Sequence, residues 1–145
     1  MDNKYGKTKN NDENESDIKG DIFKELNILN ISFNGLILVL IGVIINIRFV
    51  LWSRIGVLDS INNTNYAEKI GDLTESPRLS NKLYLIATII FIIIIYDGYL
   101  TQISTDPSQL DKEAVNDSWY KYVAIIFVLM GTLINYSILN KPNFN

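Results

Sequence analysis

The amino-acid sequence predicts an all-α integral membrane protein with three transmembrane helices and a disordered polar N-terminal tail. Three long apolar segments carry this prediction, namely Phe33–Trp52, Leu83–Leu100 and Trp119–Leu139. Each approaches or exceeds the length of about 20 helical residues that crosses the hydrocarbon core of a bilayer. Aromatic residues stand near the segment ends, as in the belts that mark membrane interfaces; they are Trp52, Tyr84, Tyr99, Trp119, Tyr120 and Tyr122.

The composition limits the chain to one domain and excludes several chemistries. With 145 residues, it divides into a polar tail over residues 1–20 and a three-helix membrane domain over residues 21–145. Cysteine and histidine are both absent, which excludes disulfides, thiolate catalysis, Cys/His zinc sites and iron–sulfur clusters. The net charge of −3 gives no support for nucleic-acid binding. No cofactor or metal is expected.

The first 30 residues consist of a polar, charged segment followed by a short amphipathic segment. Residues 1–20 have no aromatic residue after Tyr5 and include Ile18 in a charged, polar context, so they bury too little apolar surface to offset their ordering entropy. In Asp21–Asn30 the apolar residues recur at helical spacing. We therefore expect a disordered tail, followed by a short amphipathic helix at the membrane surface that runs into the first span.

Basic residues near the ends of the spans predict the orientation, because cytoplasmic loops carry an excess of lysine and arginine. The connection Ser53–Lys82 holds most of them, whereas Thr101–Ser118 holds only Lys112. This places the first connection and the C-terminus in the cytoplasm and the N-terminus outside the cell membrane. The N-terminal lysines oppose this assignment, and Lys19 and Lys24 lie close enough to the first span to matter.

The first and third spans share a pattern of small and polar residues. Gly35–Asn46 reads GLILVLIGVIIN, and Ala124–Asn135 reads AIIFVLMGTLIN. Positions separated by seven and eleven residues share one helix face. Small residues let helices approach closely in lipid, and an asparagine can bond across the gap. We expect two packing stripes that face each other, or a common partner, at the same depth; the alternative is a chance similarity of two Ile-rich helices. The candidate packing residues are Gly35, Gly42, Asn46, Ala124, Gly131 and Asn135.

One carboxylate lies inside a predicted span. Asp97 is within a turn of the end of the second span, between Tyr96 and Tyr99, and an ionisable group inside a membrane is a candidate functional residue. The aromatic residues mark an interface, so the Asp97 carboxylate should reach headgroup water. Lys121 starts the third span in the same leaflet. The two are predicted to form an interfacial ion pair, and a transport role for Asp97 is the alternative.

No residue pattern in the chain specifies a reaction, so we do not expect an enzyme. The expected function is that of a small membrane protein acting through helix–helix contacts, as a subunit, a partner or a homo-oligomer in membrane lipid. Two alternatives are compatible with three spans and a small size. One is an oligomeric pore or holin-like protein that permeabilises the membrane, and the other is a small membrane immunity protein.

Overall fold

The computed structural model describes the backbone of residues 6–104 and 111–141, and the side chains from residue 19 onward within these ranges. All regular secondary structure in these ranges is helical: α1 (Gly6–Asn62), α2 (Tyr66–Ile70), α3 (Ser76–Ile103) and α4 (Lys112–Leu139). Three of the helices are long and apolar enough to cross a membrane, over Lys19–Asn62, Ser76–Ile103 and Lys112–Leu139. The all-α prediction is confirmed, and the three apolar helices are compatible with a multi-pass membrane protein.

Each predicted span lies inside a longer helix. The first span, Phe33–Trp52, is the middle of α1, which begins at Gly6 and ends at Asn62. The amphipathic segment Asp21–Asn30 continues into this span without a break. The backbone over residues 6–20 is helical and residues 1–5 lie outside the described ranges; the disorder of residues 1–20 stays a prediction. Extension of an existing helix needs no new nucleus, so a polar segment can continue it.

The chain reverses direction between α1 and α2. Asn63 has a φ of +54°, a left-handed conformation that asparagine tolerates better than most residues. The backbone N–H of Thr64 donates to the Asp59 carbonyl oxygen at 3.1 Å. Further on, Asp72 accepts a hydrogen bond from the Thr74 backbone N–H at 2.8 Å, and this bond lowers the pKa of the Asp72 carboxyl. Pro77 then lies in the first turn of α3, a position that needs no backbone N–H.

Helix α3 lies between the two other long helices. It packs against both α1 and α4, whereas the Cα atoms of α1 and α4 stay more than 8 Å apart in the described part of the chain. The most buried residues are small or polar, and they include Ser80, Asn81, Ala87 and Thr88 on α3. Large apolar side chains point outward instead, such as Phe23 and Phe127, which are 69% and 67% exposed. This distribution is the reverse of a water-soluble fold and suits a lipid environment.

Candidate functional site

Two asparagines from the flanking helices meet two adjacent residues of α3. On the α1 side, the Ser80 hydroxyl donates to Asn46 Oδ1 at 2.6 Å. The Asn46 amide nitrogen donates to the Tyr84 hydroxyl at 3.2 Å. Ser80 is 1% exposed, so its hydroxyl depends on protein partners. These contacts join α1 to the N-terminal part of α3.

The matching contact on the α4 side uses the next residue of α3. Asn135 Nδ2 donates to Asn81 Oδ1 at 2.9 Å, and Asn81 Nδ2 donates to the Thr132 carbonyl oxygen at 3.3 Å. Successive helix residues are about 100° apart around the helix axis. Ser80 therefore faces α1 and Asn81 faces α4 at the same depth of the bundle. We call Asn46, Ser80, Asn81, Tyr84 and Asn135 the polar layer. Its two asparagine contacts make α3 the common neighbour of α1 and α4.

The glycines of the α1 stripe lie directly against aromatic rings of α3. Gly35 and Gly42 are both buried. A Cβ atom on Gly42 would lie 2.6 Å from the Tyr84 ring, and one on Gly35 would lie 2.9 Å from the Phe91 ring. Neither position has room for a side chain unless the ring moves. Both glycines therefore permit close approach of α1 to α3.

The α4 stripe is arranged differently. Ala124 and Gly131 are exposed, and a Cβ atom on Gly131 would meet nothing within 4 Å. Asn135 lies only about 40° round the helix from Gly131, but its longer side chain reaches Asn81. The two stripes therefore do not face each other. The packing of Ala124 and Gly131 against another protein stays a prediction.

The structure shows no ion pair between Asp97 and Lys121, both of which lie in the described ranges, and their pairing at the interface stays a prediction. Tyr96 and Tyr99 of α3 face the aromatic residues of α4, with ring centroids of Tyr96 and Tyr122 5.4 Å apart. Asp97 is about 100° round the helix from Tyr96 and instead lines a cleft between α3 and α1 with Lys24. Lys121 is exposed.

The hydropathy pattern did not predict the contacts of two residues of the polar layer, Ser80 and Asn81. Ser80 and Asn81 precede the predicted span Leu83–Leu100, because a hydropathy pattern ends at polar residues even where the helix continues.

Arg78 was predicted only as one of the basic residues of the first connection. In the structure its guanidinium donates to the Leu139 carbonyl oxygen at 3.1 and 3.2 Å and pairs with Glu75 at 2.7 Å. Arg78 thereby caps the C-terminal end of α4.

A second polar cluster holds α2 against the end of α1. Asp59, which is 8% exposed, accepts hydrogen bonds from the Thr64 hydroxyl and from the Ala67 backbone N–H. The Trp52 indole N–H donates to the Ala67 carbonyl oxygen at 3.2 Å. Gly56 lies beside Ala67, since a Cβ there would be 3.9 Å from the Ala67 Cβ. We call residues 53–70 the surface hairpin.

The polar layer offers neutral amide and hydroxyl groups, which can form directional hydrogen bonds across helices. Within residues 19–104 and 111–141, no group of three or more Asp or Glu side chains could hold a metal ion. The geometry therefore supports association of helices more directly than it supports a reaction. Comparison of the chain with protein-family models, curated protein sequences and solved structures found no match.

Proposed function

We propose that the chain is a non-enzymatic, multi-pass protein of the cell membrane that acts through helix–helix contacts with a partner protein or a second copy. The observation that carries this proposal is the arrangement of α1 and α4 in the described residues: both pack on α3, while their Cα atoms stay more than 8 Å apart. An unfilled groove between two helices in lipid is a natural position for a further helix.

A cleft between α1 and α3 combines apolar and polar groups and is the surface that we propose a further helix would bind. Val43, Ile47 and Val50 line a cleft together with Asn46 and Tyr84. The apolar side chains would pack against an incoming helix, and the Asn46 and Tyr84 groups would give that helix hydrogen-bonding partners. The same side chains already bond to each other, so they are held in place before a partner arrives.

We further propose that the N-terminus is outside and the C-terminus is in the cytoplasm. Charges near the ends of the three apolar helices support this orientation. Basic residues concentrate at the end where the first connection meets the bundle; they are Arg48, Arg54, Lys69, Arg78 and Lys82. Arg48 and Arg54 are exposed and lie within one turn of Trp52, so both can reach the headgroup region.

Site-specific photo-crosslinking in the membrane tests the helix-contact proposal. A photoreactive residue at Val43 should give one discrete protein adduct, because Val43 lines the cleft between α1 and α3. The same residue at Ile44 should give no protein adduct, because Ile44 is about 100° further round the helix. The two side chains are similarly exposed, at 40% and 49%, which makes Ile44 a matched control.

The mass of the adduct distinguishes a second copy from another protein. Equal adducts at Val43 and Ile44, or none at either position, would contradict a preferred helix-binding face. Collapse of the membrane potential on expression, together with adducts that contain only copies of this chain, would favour the pore alternative. An adduct with one other membrane protein and no loss of potential would favour the role of a subunit, a partner or an immunity protein.

A further inference from the structure

Helix α1 continues past the ends of its neighbours. Phe49 and Trp52 lie beside Pro77, near the start of α3, and beside Leu139, the last residue of α4. The helix then runs for ten more residues to Asn62, which corresponds to about 15 Å at 1.5 Å per residue. In this region α2 packs against α1, through hydrogen bonds of Ala67 with Trp52 and Asp59. The surface hairpin therefore projects from the end of the bundle that carries the basic residues.

An apolar cleft runs along the hairpin toward the bundle. Its outer part lies between α1 and α2 and is lined by Leu58, Tyr66 and other residues. Its inner part is lined by Leu51 and other residues beside the bundle. Ile55 and Ile70 line both parts, so the two parts adjoin each other. The cleft thus leads from the end of the predicted first span to the tip of the hairpin.

A basic residue lines each of the two parts of the cleft. Arg48 lines the inner part, and Lys69 lines the outer part with its Nζ 5.1 Å from the centroid of the Tyr66 ring. Asp59 also lines the outer part, but its two carboxylate oxygens accept hydrogen bonds from Thr64 and Ala67. Asp59 keeps its negative charge, because the hydrogen bonds from Ala67 and Thr64 and the nearby Lys69 lower its pKa. The linings of the two parts therefore hold two cations and one anion, a net charge of +1, and Arg48 has no acidic residue beside it in the inner lining.

A ligand for this cleft needs an apolar chain and an anionic group. The apolar walls, the two cations and the interfacial Trp52 match the upper acyl chain and phosphate of a phospholipid at a membrane surface. A headgroup with net negative charge gains more from these cations than a zwitterionic one does. We propose that the cleft between α1 and α2 binds one anionic phospholipid. This site adjoins the cleft proposed to bind a further helix, because Leu51 lines both.

Fluorescence of Trp52 tests the proposal, because Trp52 lines the inner part of the cleft. The full chain carries two tryptophans, so Trp119→Phe leaves Trp52 as the sole reporter. The protein is reconstituted into phosphatidylcholine vesicles with a small fraction of brominated lipid. Brominated phosphatidylglycerol should quench Trp52 more strongly than brominated phosphatidylcholine at the same mole fraction.

Charge variants connect this preference to the cleft. Lys69→Gln should reduce the preference for the anionic lipid by about fivefold, the value for one basic group at a lipid surface. Lys69→Arg should retain it. Lys82→Gln is the control, since Lys82 is exposed and lies outside both parts of the cleft. Equal quenching by the two lipids, or equal losses in Lys69→Gln and Lys82→Gln, would overturn the proposed site.

Discussion

Replacement of Gly42 by leucine is expected to force α1 away from α3 and to lower the stability of the bundle strongly. A Cβ alone would lie 2.6 Å from the Tyr84 ring, and Tyr84 also bonds to Asn46 through its hydroxyl. Overpacking of a tight contact costs about 1–3 kcal/mol, and displacement of the ring would add the loss of that hydrogen bond. Thermal unfolding of the purified chain in mild detergent measures the effect.

The equivalent glycine of α4 supplies the matched control. Gly131 occupies the same place in the repeated pattern as Gly42, but a Cβ there meets nothing within 4 Å. Gly131→Leu should therefore leave the unfolding temperature of the isolated chain close to that of the wild type. Substitution at Ile44, which is 49% exposed, should also have little effect. Equal losses at Gly42 and Gly131 would contradict the packing of α1 and α4 described above.

Replacement of Asn81 by leucine is the second change with a large expected effect. Asn81 is 2% exposed, accepts a hydrogen bond from Asn135 and donates one to the Thr132 carbonyl. Interhelical hydrogen bonds in membrane proteins contribute about 0.6 kcal/mol on average and up to about 1.7 kcal/mol. With two bonds lost, we expect a destabilisation of about 1–2 kcal/mol, measured as reversible unfolding of the chain in mixed micelles.

A double-mutant cycle isolates the contact between the two asparagines. Asn135→Leu alone should cost about 1 kcal/mol or less, because it removes one hydrogen bond and leaves Asn81 bonded to α4. Once Asn81 is leucine, Asn135→Leu should cost little more, since its partner is already absent. Full additivity of the two changes would show that the bond between these side chains contributes nothing to stability.

The helices of the bundle were predictable because lipid imposes a simple rule on the backbone. Every polar backbone group inside a membrane needs an internal partner, so a long apolar run such as Leu83–Leu100 indicates a helix. The residue at which α3 begins could not be predicted from this rule. Ser80 and Asn81 are polar, yet α3 begins earlier, at Ser76, because their side chains find partners on α1 and α4.

The direction in which each stripe faces depends on contacts between distant parts of the chain. Gly42 and Gly131 have nearly the same local sequence, but only Gly42 lies against α3. Local pattern identifies a face of a helix without identifying what covers it. The same reason explains the position of Asp97. The aromatic residues of α3 face α4, and Asp97 therefore lies on the side of α3 that faces α1.

Cysteine labelling in intact cells tests most directly whether α3 crosses the membrane. The natural chain has no cysteine, so Asn65→Cys and Ser104→Cys each introduce one labelling site. Asn65 lies in the connection that precedes α3, Ser104 directly follows the last residue of α3, and both are exposed. With α3 across the bilayer and the N-terminus outside, an impermeant maleimide should label the cysteine at 104 in intact cells and the cysteine at 65 only after permeabilisation. The reverse pattern would keep the crossing and invert the orientation, whereas equal labelling of both positions in intact cells would contradict the membrane-spanning account.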